Sequence, residues 1–234
     1  MMDHAAQQVP EARGQTKADL DGFVDRYFNR KVSTPLTRLF LQMGLSPNVI
    51  TVLSLLIGLV AAGSFALGSY VAGIIGGLLF QLSAIVDCCD GEVARLTNRQ
   101  SRFGRQLDLA ADNVVHMAIF MGIAWGIYHQ QEAVERSWLP LVLGAAAVGG
   151  NGLAFRLVPR ALTLREQRAW RRPLETAWAE ILLKNVTSRD FSVVLLIFAL
   201  ADKVEWFLWA AAIGVNVFWM IMAWVTRQSA IVRA

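Results

Sequence analysis

The sequence predicts an all-α integral membrane protein: six transmembrane helices preceded by an N-terminal interfacial amphipathic helix. Three observations predict it. Of the 234 residues, 55% are hydrophobic and only 17% are charged, which is too apolar for an ordinary soluble domain. Six apolar segments can be marked, at about 49–68, 70–89, 108–128, 138–158, 182–201 and 205–225, each near the roughly 20 residues that a spanning helix needs. Lys and Arg crowd into every second connection and are sparse in the others, the alternation that orients membrane helices.

The elements follow in order. Residues 1–17 are polar, contain no apolar run of the kind a secretory signal needs, and are expected to form a partly disordered cytoplasmic tail. In residues 18–43, Phe23, Tyr27, Leu36, Leu39 and Phe40 alternate with basic residues. This pattern predicts an amphipathic segment lying along the membrane interface, broken near Pro35. Residues 44–227 form the six-helix domain, and 228–234 a second cytoplasmic tail. Arg13, Lys17, Arg26, Arg30, Lys31 and Arg38 precede the first span. Arg95, Arg99, Arg102 and Arg105 lie between the second and third, and Arg160, Arg165, Arg168, Arg171 and Arg172 between the fourth and fifth. The opposite side carries only Arg136 and Lys203. Both termini are therefore expected on the cytoplasmic side, with Tyr70, Tyr128, Trp138 and Trp206 at the outer boundary.

The net charge is +4. In a membrane chain this excess reads as cytoplasmic loops and not as a nucleic-acid surface. The two cysteines, Cys88 and Cys89, are adjacent; they provide neither a disulfide framework nor a zinc spacing and read as small packing residues. Gly73 and Gly77 form a G-x-x-x-G that suits close helix approach, within the bundle or across a homodimer seam.

The most informative stretch is Asp87-C-C-D-G-E-V-A-R-L-T-N-R-Q-S-R-F-G-R-Q-L-D-L-A-A-Asp112, where the second and third apolar segments meet. Asp87 and Asp90 are spaced i,i+3; Asp108 and Asp112 are spaced i,i+4, so each pair shares one helical face. Counting ~20 residues inward from Tyr70 and from Tyr128 places both pairs at the inner edge of their spans. A single aspartate there reads as a snorkelling side chain at a helix end. Four in register read as a site, because four like charges at a membrane edge require cations or protons to neutralise them. Carboxylate oxygens suit a hard ion, Mg²⁺ or Mn²⁺, and four of them can hold two ions in a clamp fit for phosphoryl transfer. Gly91 and Ala94 leave room for a ligand, Arg95 can pair with a phosphate, and Gly104 permits close backbone approach.

The pattern D87-x-x-D90-G91-x-x-A94-R95, eight residues, G104, three residues, D108, three residues, D112 matches all eight positions of the CDP-alcohol phosphatidyltransferase signature. The chain resembles that family over residues 20–226. S46-P47-N48-V49-I50-T51 resembles its Pro-Asn-x-x-Thr opening of the first span. The resemblance implies transfer of a phospho-alcohol group from a CDP-linked donor to an acceptor hydroxyl, with release of CMP, in phospholipid or polyol-phosphodiester synthesis. It implies that Asp87, Asp90, Asp108 and Asp112 bind the metals and that Asp112 is also the general base. It further implies that Asn48, Thr51, Gly91, Ala94, Arg95, Ser101 and Gly104 line the nucleotide site. Within the family, D21-GFVDRYFNRKVSTPLTRLF40 and the I-V-D-x-C-D-G-E-V-A-R-L form are most similar to the transferase domain of di-myo-inositol-phosphate-phosphate synthases. The donor so implied is CDP-inositol or another CDP-polyol, or CDP-diacylglycerol.

For the acceptor, which is expected to be a phosphorylated alcohol in one reading, the candidates are Ser188 and Arg189 at the inner half of the fifth span, with Arg156 and Arg160 behind them. Two other classes share some of these features. An Mg²⁺-dependent membrane prenyltransferase needs two separated Asp-rich motifs, and residues 113–234 contain no second one. A cation carrier places carboxylates near the midplane, often in repeated halves.

Overall fold

The structure, a computed structural model, describes residues 30–132, 136–168 and 190–231. Among them are seven helices and no strand: α1 (Arg30–Gln42), α2 (Pro47–Ala66), α3 (Tyr70–Leu96), α4 (Arg102–Gln130), α5 (Leu139–Arg168), α6 (Asp190–Leu200) and α7 (Val204–Ile231). Five of these, α2 to α5 and α7, are long and apolar enough to cross a membrane. The expected span 182–201 is described from Asp190 onward, as the 11 residues of α6. Residues 182–189, the tail 1–17 and the first part of the amphipathic segment lie outside the described residues. Large apolar side chains such as Leu56, Val60, Ile75, Leu78, Val142 and Ile213 are exposed on the bundle's outside, the surface an integral membrane protein presents to lipid.

Local chemistry sets the helix ends. α1, α3 and α6 each stop at a left-handed residue: Gly44 (φ 68°), Asn98 (φ 54°) and Asp202 (φ 54°). In each the next backbone N–H returns to the carbonyl five residues back: Leu45 to Phe40 (3.1 Å), Arg99 to Ala94 (3.0 Å) and Lys203 to Phe198 (2.8 Å). These bonds satisfy carbonyls that the helix leaves open. Pro47 starts α2, where its missing N–H costs nothing. α1 runs unbroken through Pro35, contrary to the expected break. Its packed side is Ser33, Thr37 and Phe40, and Pro35 lies on the exposed side, so the lost N–H does not touch the packed face.

α2 packs against both α3 and α4, α5 against α4 and α7, and α6 against α3 and α7. α3 and α4 themselves make little backbone contact, so α2 acts as the wedge that spaces them. A mid-bundle core gathers Phe65, Phe80, Ile119, Phe120, Leu195 and Leu208. A second, smaller cluster of Phe40, Ile50, Val86, Cys89 and Val93 joins α1 to the inner ends of α2 and α3.

α2 and α4 approach closely. A Cβ at Gly122 would strike the carbonyl oxygen of Ala62, and one at Gly126 the carbonyl oxygen of Phe65. This seam was not anticipated. Of the anticipated pair, Gly77 packs within the bundle, where an added Cβ would lie 3.0 Å from Leu196 Cδ1, whereas Gly73 has nothing within 4 Å. Gly126→Leu is therefore expected to wedge α2 from α4, with an overpacking cost of about 1–3 kcal/mol or more. Thermal unfolding in detergent should show a clear fall in midpoint for this variant and almost none for Gly73→Ala.

Candidate active site

The turn between α3 and α4 is short, Thr97 to Ser101, so the end of α3 and the start of α4 lie at the same end of the bundle. Ser101 caps α4 by accepting a hydrogen bond from Gly104 N at 2.9 Å. α3 carries Asp87 and Asp90 toward this end, and α4 carries Asp108 in its second turn. Because α2 holds the two helices apart, these carboxylates reach into the space between them. One ligand oxygen from each of Asp87, Asp90 and Asp108 lies within 4.8 Å of the other two. Asp87 and Asp90 are buried, only 4% and 5% exposed. Among the described residues, no donor reaches Oδ1 of Asp87 or Oδ1 of Asp108.

Asp112 was expected in the same cluster. It follows Asp108 by one turn of α4 and is not among the three residues whose ligand oxygens all lie within 4.8 Å of one another. Its backbone carbonyl sits 2.8 Å from His116 Nδ1. The difference is one of depth: a residue four positions on is displaced about 6 Å along the axis. The i,i+4 spacing fixes the face and leaves open which of the two meets the partner helix.

Below the aspartates the gap between α3 and α4 is closed by rings. Phe80 of α3 meets His116 of α4 edge-on at 5.8 Å, and Phe191 of α6 packs on both, 6.3 Å from Phe80 and 5.3 Å from His116. Phe80 is seven residues before Asp87 and His116 four after Asp112, so both share the aspartates' helix faces. The three rings pack together next to the aspartates along the two helices. Beside them, Ser192 donates to Gln81 at 2.7 Å, both buried, and fastens α6 to α3. Asn151 of α5 donates to Asn113, next to Asp112, also at 2.7 Å.

The expected nucleotide-site residues come together at the same end. The Thr51 hydroxyl hydrogen-bonds Asp90 Oδ2 and also approaches the Pro47 carbonyl at 3.1 Å. A Cβ on Gly104 would lie 3.1 Å from both Asn48 Oδ1 and Ser101 Oγ, so the starts of α2 and α4 converge where a side chain at 104 would intrude. A Cβ on Gly91 would lie 3.4 Å from Arg95 Nη1, so the Arg95 side chain runs over the bare turn. Ala94 is half-buried on that turn. Ser188 and Arg189 lie outside the described residues. Arg156 is exposed at the inner part of α5.

This geometry has relatives. The family model for CDP-alcohol phosphatidyltransferases matches residues 44–215, most of the chain. The chain belongs to the CDP-alcohol phosphatidyltransferase family. Among relatives of that family, it is 39% identical over 104 residues to a bifunctional IPC transferase and DIPP synthase of Aquifex aeolicus, covering 44% of this chain and 23% of that protein. It is 35% identical over 99 residues to the archaetidylinositol phosphate synthase of Pyrococcus horikoshii, 41% of this chain and 51% of that one. With the phosphatidylinositol phosphate synthase of Mycobacterium tuberculosis it shares 32% over 112 residues, 47% and 50% of the two chains. The chain thus spans between about a quarter and a half of the length of these curated relatives. In fold it is similar to the crystal structure of M. tuberculosis phosphatidylinositol phosphate synthase with CDP-DAG bound, with a TM-score of 0.58, 22% identity, and 84% and 94% of the two chains covered. The same enzyme in complex with manganese and citrate gives a TM-score of 0.53 at 24% identity, over 82% of this chain and 88% of that one.

Sequence reasoning passed over several residues that the fold brings to this end. Glu92 looks like a further member of the acidic stretch, yet it is not among the converging carboxylates. His116 and Phe191 read as ordinary span residues. A helical wheel would have placed His116 on the Asp112 face, but only the packing of α6 reveals that the rings meet.

Proposed function

We propose that this chain is a membrane CDP-alcohol phosphotransferase. The observation that carries the reading is the convergence of ligand oxygens of Asp87, Asp90 and Asp108, from two helices, within 4.8 Å. The donor set fits a hard divalent cation: it consists of carboxylate oxygens alone, from two helices, with no sulfur or imidazole in the group. Asp87, Asp90 and Asp108 would hold Mg²⁺ or Mn²⁺, and with Asp112 there are carboxylates enough for two ions. Ions bound there would neutralise the charge of the donor's pyrophosphate and of departing CMP.

The chain's own residues do the rest. Arg95, lying over the bare turn at Gly91, is placed to pair with a phosphate oxygen of the CDP moiety. Asn48 and Gly104 shape the opposite wall. The acceptor hydroxyl attacks the phosphorus that bears the alcohol; its O–P bond forms, the P–O bond to CMP breaks, and its proton passes to Asp112. A second carboxylate trio, as a prenyltransferase or a repeated carrier would use, does not occur among the described residues.

The donor we propose is CDP-diacylglycerol or a CDP-polyol such as CDP-inositol, and the first acceptor to try is an inositol phosphate, since two of the relatives above are named for inositol phosphate products. The test is CMP release by the protein in lipid nanodiscs, with Mg²⁺ or Mn²⁺ and a matrix of CDP-linked donors and hydroxyl acceptors. Metal-dependent CMP release with one donor–acceptor pair supports the reading. Absence of both CMP release and metal-dependent CDP binding would refute it.

The site and both termini are proposed to face the cytoplasm, from the Lys and Arg distribution. Because the native cysteines are buried, introduced ones can report sidedness. Gln100→Cys should react with an impermeant maleimide only in inside-out vesicles, and Glu132→Cys only in right-side-out ones.

A further inference from the structure

From Asp87 through Asp112 there are five acidic residues, and Glu92 is the one outside the two Asp pairs that share a helix face. At about 100° per residue it stands roughly 140° around α3 from Asp87, on the side of Cys89 and Val93. There it meets α1. Ser33 Oγ donates to Glu92 Oε1 at 2.9 Å, and Thr37 Oγ1 donates to Oε2 at 2.6 Å. The two hydroxyls are spaced i,i+4 and share one face of α1. They are 0% and 2% exposed. Cys89 Sγ points at the Ser33 carbonyl at 3.7 Å. Around this polar clasp sit Phe40, Ile50, Val86 and Val93. A carboxylate in such surroundings is tolerated because both its oxygens are hydrogen-bonded.

The clasp lies just behind the metal-facing turn. Glu92 follows Asp90 by two residues, and the Asp87–Asp90 turn has little backbone support from α4. Side-chain ties flank that turn: Thr51 of α2 to Asp90, and Ser33 and Thr37 of α1 to Glu92. The carboxylates gathered on the other face of α3 repel one another, so the turn needs restraint from behind.

We propose that Glu92 is a positioning residue: clasped by Ser33 and Thr37, it locks α1 onto the inner end of α3 and so holds Asp87 and Asp90 in place to bind metal. This rests on the phosphotransferase reading of the same site. The role is carried by hydrogen bonding and does not require the charge. A glutamine can accept from one hydroxyl through its carbonyl and donate to the other through its amide; an alanine can do neither.

The test compares wild type, Glu92→Ala, Glu92→Gln and the double variant Ser33→Ala/Thr37→Val in nanodiscs. Three quantities are read: Mn²⁺ affinity by electron paramagnetic resonance, hydrogen-exchange protection of the amides from Ser33 to Phe40, and the Mn²⁺ dependence of CMP release. Glu92→Ala and the double variant are expected to lose α1 protection and to weaken Mn²⁺ binding about 10- to 100-fold, the range for groups that orient metal ligands. Glu92→Gln is expected to restore both to within about threefold, a small fraction of that range. The proposal is overturned if α1 protection is lost while Mn²⁺ affinity stays at the wild-type level. It is equally overturned if Glu92→Gln keeps α1 protected yet binds Mn²⁺ as poorly as Glu92→Ala, since Glu92 would then act through its charge. The double variant leaves Glu92 intact and covers the case in which Glu92→Ala does not fold. Wild-type protein that binds Mn²⁺ but releases no CMP from any donor refutes the phosphotransferase reading, while the binding and exchange measurements still decide the clasp.

Discussion

Asp108→Asn is expected to remove metal-dependent CMP release almost completely while making the metal-free protein more stable. The two effects have one cause. Ligand oxygens of Asp87, Asp90 and Asp108 lie within 4.8 Å of one another. At an effective dielectric constant of about 20, two full charges at that distance repel by about 3 kcal/mol. The folded protein without cations carries this repulsion. Asparagine has nearly the same volume and keeps one acceptor oxygen, so packing is undisturbed and one charge is gone. The thermal midpoint without metal should rise. The further rise that Mn²⁺ produces in wild type, by binding only the folded state, should disappear. Turnover should fall on the order of 10³-fold, about 4 kcal/mol in the transition state, as expected when charge neutralisation at the phosphate is lost. Thermal scans with and without Mn²⁺, beside a CMP assay, check all three. An Asp108→Asn protein that still gains stability from Mn²⁺ and turns over at more than a tenth of the wild-type rate would show that Asp108 is not a ligand.

Much of this architecture is written locally. Spans α2 to α5 and α7 are legible because lipid demands long apolar helices, whatever they pack against. The α3–α4 turn is legible because Asn98 and Ser101 supply a left-handed stop and a cap at the right distance. Two carboxylate pairs at helical spacing announce a site for the same reason: spacing alone determines shared faces. What escapes is whatever depends on how a helix is rotated against its neighbour. Gly73-x-x-x-Gly77 and Gly122-x-x-x-Gly126 have the same spacing, yet only the second lines the tight α2–α4 crossing. Asp108 joins Asp87 and Asp90 within 4.8 Å, while Asp112, one turn on along the same face, is not one of that trio. Glu92 sits amid the converging aspartates in sequence and binds hydroxyls of α1 in space. Pro35 looked like a break because its lost N–H is a local fact, whereas its position on the unpacked side of α1 is a tertiary one.

The separate position of Asp112 makes its substitution the more discriminating experiment. Asp112→Asn is expected to bind Mn²⁺ and CDP nearly as wild type does, because the three converging oxygens of Asp87, Asp90 and Asp108 remain. Turnover should nevertheless drop about 10²- to 10⁴-fold, the contribution of a positioned general base. An amide of the same shape keeps the fold, and the His116 contact to residue 112 uses the backbone carbonyl, which the substitution leaves in place. What is lost is a proton acceptor beside the attacking hydroxyl. A more acidic acceptor, such as a fluorinated analogue of the alcohol, needs less help from a base and should recover part of the lost rate in Asp112→Asn while gaining little in wild type. Equilibrium CDP binding together with single-turnover CMP release separates the two roles. Loss of CDP and Mn²⁺ binding as severe as in Asp108→Asn would make Asp112 a ligand first. Full turnover in Asp112→Asn would remove it from proton transfer altogether. Retained binding, lost turnover and rescue by the acidic acceptor are together the signature of a general base distinct from the three converging carboxylates.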